Sequence, residues 1–244
     1  MSEDRYKGLK PDVASFCKVL DEILQKDYGV HLNRDDLRVA CVVGYSNKNI
    51  LAVGPPGTGK TSFAKALAKA KKRAYERVTV YPGLTVTDLY GDWDYRKQLL
   101  AVQSGEKLEH VYTREFFIDG PAMRSLEKNA VFHVDEVNRA DEEVQNALLE
   151  LAEEKQITIP MLGTVKGDLQ IVATMNEGDV GTVPLSSAFK RRFVSVYFGY
   201  PDEKNFIRAL VEKYGEDVVE KLDKAVEKAI VYAAEQLEKR MGGD

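Results

Sequence analysis

The chain predicts an α/β fold in which a parallel sheet is covered by helices on both faces. Three observations carry that expectation. Short apolar runs that suit buried strands alternate with longer segments of helical period. A glycine-rich loop, residues 54–61, stands between one such strand and one such helix. A second, mostly apolar run, residues 131–134, ends in the acidic pair Asp135-Glu136.

Each element follows in order. Pro11 opens a helix on which Val13, Phe16, Leu20, Ile23 and Leu24 recur at helical spacing, and Tyr28-Gly29 ends it. A second helix starts at Asn33, with Asp36 three residues on, and carries Leu37, Ala40 and Cys41. Residues 49–53, NILAV, read as a short buried strand, 61–71 as a helix and 78–80 as a strand. The stretch 81–120 is less regular: 85–90 suits one helical turn, and the alternation in 103–119 suits a hairpin. Residues 121–128 read as a helix and 131–135 as a strand. A strong helix over 141–154 puts Val144, Ala147, Leu148 and Leu151 on one face. Strands are expected at 157–159 and 169–174, with a glycine-containing turn between them, and at 194–198. After Tyr200-Pro201 the chain becomes charged and helix-forming, with Gly215 as the break. The expected organisation is therefore an N-terminal helical segment, 1–33, packed on a core, 34–200, with a helical tail, 201–244.

Composition narrows the function classes. Hydrophobic residues at 44% and charged residues at 30% suit a soluble globular protein, and a net charge of -4 gives no global basic field for nucleic acid. The run Lys69-Ala70-Lys71-Lys72-Arg73 reads as a solvated helix end. No apolar run approaches the ~20 residues of a membrane helix, and MSEDRYKGLK is too polar for a signal peptide. Cys17 and Cys41 read as reduced, partly buried thiols of a cytoplasmic protein. His31, His110 and His133 are scattered, so no zinc spacing is present.

The chemistry concentrates in two motifs. Gly54, Pro55, Pro56, Gly57, Thr58, Gly59, Lys60 and Thr61 match the phosphate-binding pattern G-x-x-x-x-G-K-[ST], in the strand–loop–helix setting it requires. Glycines let successive N–H groups turn inward at phosphate oxygens, and the following helix adds the positive end of its dipole. Lys60 is placed for the β- and γ-phosphates, and the Thr61 hydroxyl for Mg²⁺. In the second motif Asp135 would hold the Mg²⁺ shell from the carboxyl edge of the sheet. Glu136 leaves the strand in another direction and suits activation of a water. His133, inside this strand, reads as a hydrogen-bonded core histidine. ATP with Mg²⁺ is the expected pair, since no guanine-reading Asn-Lys-x-Asp motif follows the loop. The fold class becomes a P-loop NTPase: a three-layer α/β/α sandwich on a five-stranded parallel sheet.

Residues 135–149, DEVNRADEEVQNALL, resemble the corresponding segment of MoxR-type AAA+ ATPases, and ATMNEGDVGTVPLSSAFKRRF at 173–193 continues the resemblance. TVTDLYGDWDY within 81–95 and FFIDGPAMRSL at 116–126 are similar to the same branch, which includes midasin, dynein-related and McrB-type motors. The resemblance covers residues 35–201. It implies that Asn176 is the polar sensor at the end of a core strand. It implies an arginine finger at Arg192, with Arg191 as the adjacent alternative, reaching the nucleotide of a neighbouring subunit. It places Asn138 and Arg139 in the interface or sensing network. It further implies a homo-oligomer, a hexameric ring, that remodels a protein client such as one with a von Willebrand A domain. The family's C-terminal lid with a second sensor arginine has no convincing counterpart in the 43 residues after Pro201, where Arg208 is a weak candidate. Two further readings stand beside this one: a non-hydrolysing nucleotide switch, which a reduced or truncated lid favours, and a McrB-like motor on nucleic acid, for which the basic run 69–73 could be cited.

Overall fold

A computed structural model describes residue 6, residues 8–177 and 183–200, and the single positions 211 and 221. The helical tail expected over 201–244, with Arg208, lies outside the described residues apart from those two positions.

Helix α1 (Pro11–Tyr28) starts on a proline at its first position and ends on Gly29 at φ 62°. Helix α2 (Arg34–Tyr45) follows, then strand β1 (Ile50–Gly54), helix α3 (Lys60–Ala70) and strand β2 (Tyr75–Thr79). The next stretch holds α4 (Val86–Tyr90), β3 (Gly91–Trp93), α5 (Tyr95–Gln103), β4 (Phe117–Asp119) and α6 (Pro121–Glu127). Strand β5 (Val131–Asp135) leads to α7 (Glu142–Glu154), whose N-cap Asp141 accepts from the Val144 N–H. The chain then forms β6 (Gln156–Ile159), β7 (Gly163–Lys166), β8 (Gln170–Asn176), α8 (Ser187–Arg192) and β9 (Val194–Tyr197).

The central sheet runs β2-β5-β8-β1-β9, with every pair parallel. Successive residues feed opposite faces. Phe132, Val134, Ile171, Ala173 and Leu51 enter one core with α6, α7 and α8. Val131, Val172, Ile50, Ala52 and Val196 enter the other, against Cys17, Leu20 and Leu24 of α1 and Phe63 and Leu67 of α3. Burial on both faces is why these strands are apolar runs rather than alternations. Three layers result, and parallelism gathers all strand ends of one polarity at each edge.

Two local expectations need correcting. The hairpin expected over 103–119 does not form. Strand β4 instead pairs antiparallel with β3, Gly91 opposite Asp119, and α5 fills the space between. The alternation that suggested strands comes from two 3₁₀ turns, Leu108–His110 and Arg114–Phe116, with Val111 and Phe116 turned inward. The glycine turn after residue 159 likewise contains β7, which closes a hairpin with β6.

The basic run 69–73 is not simply a solvated helix end. Lys71 Nζ donates to Gly44 O at 2.9 Å, Asn47 Oδ1 at 2.8 Å and Gln170 Oε1 at 2.7 Å. Arg73 binds Asp168 at 2.7 Å, and Lys69 binds Asp27 at 2.6 Å. Parallel strands start together at this edge, and Lys71 and Arg73 tie the segments that enter β1 and β8 to one another, while Lys69 joins α3 to α1.

Candidate functional site

The opposite edge builds a cavity. Strand β1 ends at Gly54 and the chain turns through Pro55–Thr58 before α3 starts at Lys60. Gly57 and Gly59 have φ 79° and 91°, so the turn occupies the left-handed region that glycine tolerates. At Gly59 space matters as well: a Cβ there would lie 2.7 Å from Val30 Cγ1. Thr58 Oγ1 closes the turn on Pro55 O at 2.9 Å. Lys60 is buried, and its ammonium donates to Gly54 O at 2.8 Å and Pro55 O at 2.6 Å.

The neighbouring strands bring their ends to the same place. Asn176 closes β8 directly opposite Gly54. Asp135 closes β5, where its Oδ1 accepts from the Thr174 hydroxyl at 2.5 Å and its Oδ2 pairs with Arg77 at 2.5 Å. Burial pushes the Asp135 carboxyl up, but the Thr174 hydroxyl and the Arg77 guanidinium hold it below its ordinary value. Glu136 sits at φ 57°, ψ 43°, a left-handed conformation for a non-glycine residue, and pairs with Arg139 at 2.8 Å. Such a backbone costs about 1–2 kcal/mol and turns the side chain away from the line of the strand. His133 is fully buried between the Tyr75 hydroxyl and Thr174, and burial pushes its pKa down to about 4. It is a neutral core histidine at pH 7. Tyr75 is pushed up to about 12, also by burial.

One cavity of about 480 Å³ is lined by Pro56, Gly57, Gly59, Lys60, Thr61, Asp135, Glu136 and Asn176. Gly54, Pro55 and Thr58 shape the loop behind it. Arg191 and Arg192 do not line it. Both are exposed on α8, and Arg192 is held by Glu153 at 2.5 Å. Asn138 is buried beside the site, with its Oδ1 unpartnered among the described residues. Among the described residues no cluster of three or more His, Cys, Asp or Glu could hold a metal by itself. The oxygen donors present, the Thr61 hydroxyl and the Asp135 carboxylate, suit Mg²⁺, which takes one or two protein oxygens plus phosphates.

Three parts of the site were missed in the sequence. Tyr28, Gly29 and Val30 form a wall of the cavity, Thr174 lines it beside Asp135, and Arg77 reaches Asp135 from β2. Tyr28-Gly29 was readable as a helix end, with nothing to say what it faces. Thr174 and Arg77 come from neighbouring strands, and only the parallel register joins them to Asp135.

Comparison with known proteins agrees with this fold. Residues 49–193 match the family model of the AAA domain, dynein-related subfamily. An uncharacterized protein of Staphylococcus aureus strain USA300 is 31% identical over 187 residues, 73% of this chain and 66% of its own length. One of Staphylococcus haemolyticus is 32% identical over 162 residues, 64% of this chain and 57% of its own. The chain thus spans about six-tenths of the length of these relatives. A crystal structure from Cytophaga hutchinsonii, described as a candidate ATPase, superposes with a TM-score of 0.57 at 26% identity, over 81% of this chain and 56% of that one. Among the described residues no helix is long and apolar enough to cross a membrane.

Proposed function

The chain belongs to the dynein-related subfamily of AAA domains, and from that premise we propose that it binds ATP with Mg²⁺ and hydrolyses it at a site shared between copies. The observation that supports this reading is a cavity that gathers Lys60, Thr61, Asp135, Glu136 and Asn176 at the carboxyl edge of the sheet. The N–H groups of the loop and the start of α3 receive phosphate oxygens, and Lys60 transfers its donors from the Gly54 and Pro55 carbonyls to them. Thr61 and Asp135 would hold Mg²⁺, which when bound neutralises charge on the β- and γ-phosphates. Glu136 accepts the proton of the attacking water, once it leaves Arg139. Asn176 orients that water or the γ-phosphate.

On this reading the stabilising arginine comes from another copy, for which the exposed Arg191 and Arg192 on α8, outside the cavity of their own chain, are available. Arg192 is the finger on this reading, and Arg191 the alternative. The copies form a ring, a hexamer, that remodels a protein client, of which a von Willebrand A domain protein is the family's example. Place of action is the cytoplasm. A second reading, a nucleotide switch without turnover, is favoured by two pairs: Glu136 with Arg139, and Arg192 with Glu153, each holding a needed charge in place. A motor on nucleic acid has less support, since Lys69, Lys71 and Arg73 are already engaged within the chain.

The test is ATP turnover per chain against protein concentration, with Mg²⁺. The specific rate is expected to rise with concentration. Arg192→Ala should cost about 10³–10⁵ in rate, and Glu136→Gln about 10²–10⁴, both with ATP binding retained. If Arg191→Ala alone carries the loss, the finger is the neighbour. Binding with no turnover at any concentration selects the switch.

A further inference from the structure

Beside the cavity the sheet carries a run of hydrogen bonds that the reaction above does not use. Tyr75 on β2, His133 and Asp135 on β5 and Thr174 on β8 share one sheet face, the one packed against α3. The Thr174 hydroxyl reaches Asp135 Oδ1 at 2.5 Å. His133 Nε2 lies 3.3 Å from Thr174 Oγ1, and the Tyr75 hydroxyl lies 2.7 Å from His133 Nδ1. A carboxylate only accepts, so Thr174 gives its one proton to Asp135. Thr174 Oγ1 can then only accept, which puts a hydrogen of His133 on Nε2. The other ring nitrogen, Nδ1, is held by the Tyr75 hydroxyl. The three side chains therefore run in series to one oxygen of Asp135. The other oxygen, Oδ2, is held by the 42% exposed Arg77.

We infer that Tyr75, His133 and Thr174 are a positioning relay that fixes Oδ1 of Asp135, while Arg77 holds Oδ2, the oxygen released to the Mg²⁺ shell when nucleotide binds. The inference rests on the proposed reading of Asp135 as a Mg²⁺-holding residue. The two sides differ in what it costs to break them. The relay is buried, where each lost bond leaves an unpaired polar group. In the Arg77 pair the guanidinium is 42% exposed and the Asp135 side chain only 15%, so Arg77 is the partner that can leave for water. Partners behind a metal ligand set its orientation and commonly change metal affinity by about 10–100-fold. Relay and Arg77 therefore act on the metal requirement with opposite sign: one prepares the carboxylate, the other competes for it.

The experiment titrates binding of a fluorescent ATP analogue against free Mg²⁺, with Mn²⁺ binding followed by EPR in the presence of a non-hydrolysable ATP analogue. Wild type is compared with Thr174→Val, Tyr75→Phe, Arg77→Met and Arg77→Lys, each checked by its melting curve. The Mg²⁺ needed for half-maximal binding should rise about 10-fold in Thr174→Val, and by less in Tyr75→Phe. It should fall about threefold in Arg77→Met, as expected of a pair whose guanidinium is already half in water, and return toward wild type in Arg77→Lys. Mn²⁺ affinity should move the same way. If Thr174→Val does not fold, Tyr75→Phe, which removes one hydroxyl, carries the relay arm. Weakening by Arg77→Met, or an unchanged requirement in Tyr75→Phe and Thr174→Val, overturns the inference and leaves the Mg²⁺ reading standing. A wild type whose nucleotide binding ignores both metals overturns the reading of Asp135 itself.

Discussion

Lys60 and Lys71 stand at the two ends of helix α3, and their surroundings separate a binding site from a structural tie. Lys71 follows the C-terminal end, where the helix dipole favours a cation. Its three donors meet three acceptors, Gly44 O, Asn47 Oδ1 and Gln170 Oε1, and its hydrogen-bonding capacity is used up. Lys60 opens the helix at the positive end of the dipole, where a cation is unwelcome unless an anion joins it. Its carbonyl partners belong to its own loop, and it faces a cavity. Two lysines, eleven positions apart at the ends of one helix, are thus distinguished by place: Lys60 lines a cavity, and Lys71 joins three separate segments of the chain.

The comparison breaks most visibly at Lys60. Lys60→Met should weaken ATP binding by about 100-fold, the worth of one or two charge-assisted hydrogen bonds, with little change in melting temperature. Fluorescence titration with an ATP analogue measures the first and a thermal melt the second. A stability loss larger than the affinity loss would make Lys60 a structural residue like Lys71.

Gly59 sharpens the same end. Gly59→Ala forces a side chain into a left-handed backbone, at about 1–2 kcal/mol, and drives its Cβ onto Val30 at 2.7 Å. Both stability and ATP affinity should fall. Adding Val30→Ala should recover the part due to the clash and leave the backbone part. No recovery in the double variant would mean that Val30 does not wall the site as the structure places it.

At the other end Lys71→Met should cost about 1–3 kcal/mol of stability, because three acceptors of the entry loops lose their donor. ATP affinity should stay within twofold of wild type, about 0.4 kcal/mol or less. Denaturant unfolding and the same nucleotide titration check the pair of outcomes. A marked loss of affinity would mean that the two ends of α3 are coupled through the helix.

How far the sequence exposes these features depends on how they are built. The phosphate loop is contiguous, so its glycines, Lys60 and Thr61 declare themselves in eight letters. The strands are equally legible, since burial on both faces makes them apolar runs. The Lys71 tie is not legible: Gln170 lies 99 residues away, and Lys71 looks like any surface lysine until the parallel sheet sets strand starts side by side. The relay behind Asp135 is hidden for the same reason, with Tyr75 58 residues from His133 and Thr174 39 residues from Asp135. Within 81–120 the helical turn near 85–90 is legible, but the hairpin expected over 103–119 fails because the 3₁₀ turns and the short strand there hold too few residues to set a period.

The smallest effect is also the sharpest test of the Lys71 tie. Burial, reinforced by neighbouring Arg73, pushes the Lys71 ammonium from its ordinary 10.5 down to about 8. Below pH 8 both the folded and the unfolded chain carry the proton, and folding bears the full cost of burying the charge. Between about pH 8 and pH 10.5 the unfolded chain still binds the proton while the folded chain has released it. Stability must therefore rise with pH across that window, by about 1–3 kcal/mol once partial exposure is allowed for. Lys71→Met lacks this rise, so the difference between the two unfolding free energies should widen from pH 8 to pH 10.5. Should the difference narrow instead, the three acceptors stabilise the ammonium by more than burial penalises it. In that case the tie is charged through the whole window, and its strength comes from the charge rather than in spite of it.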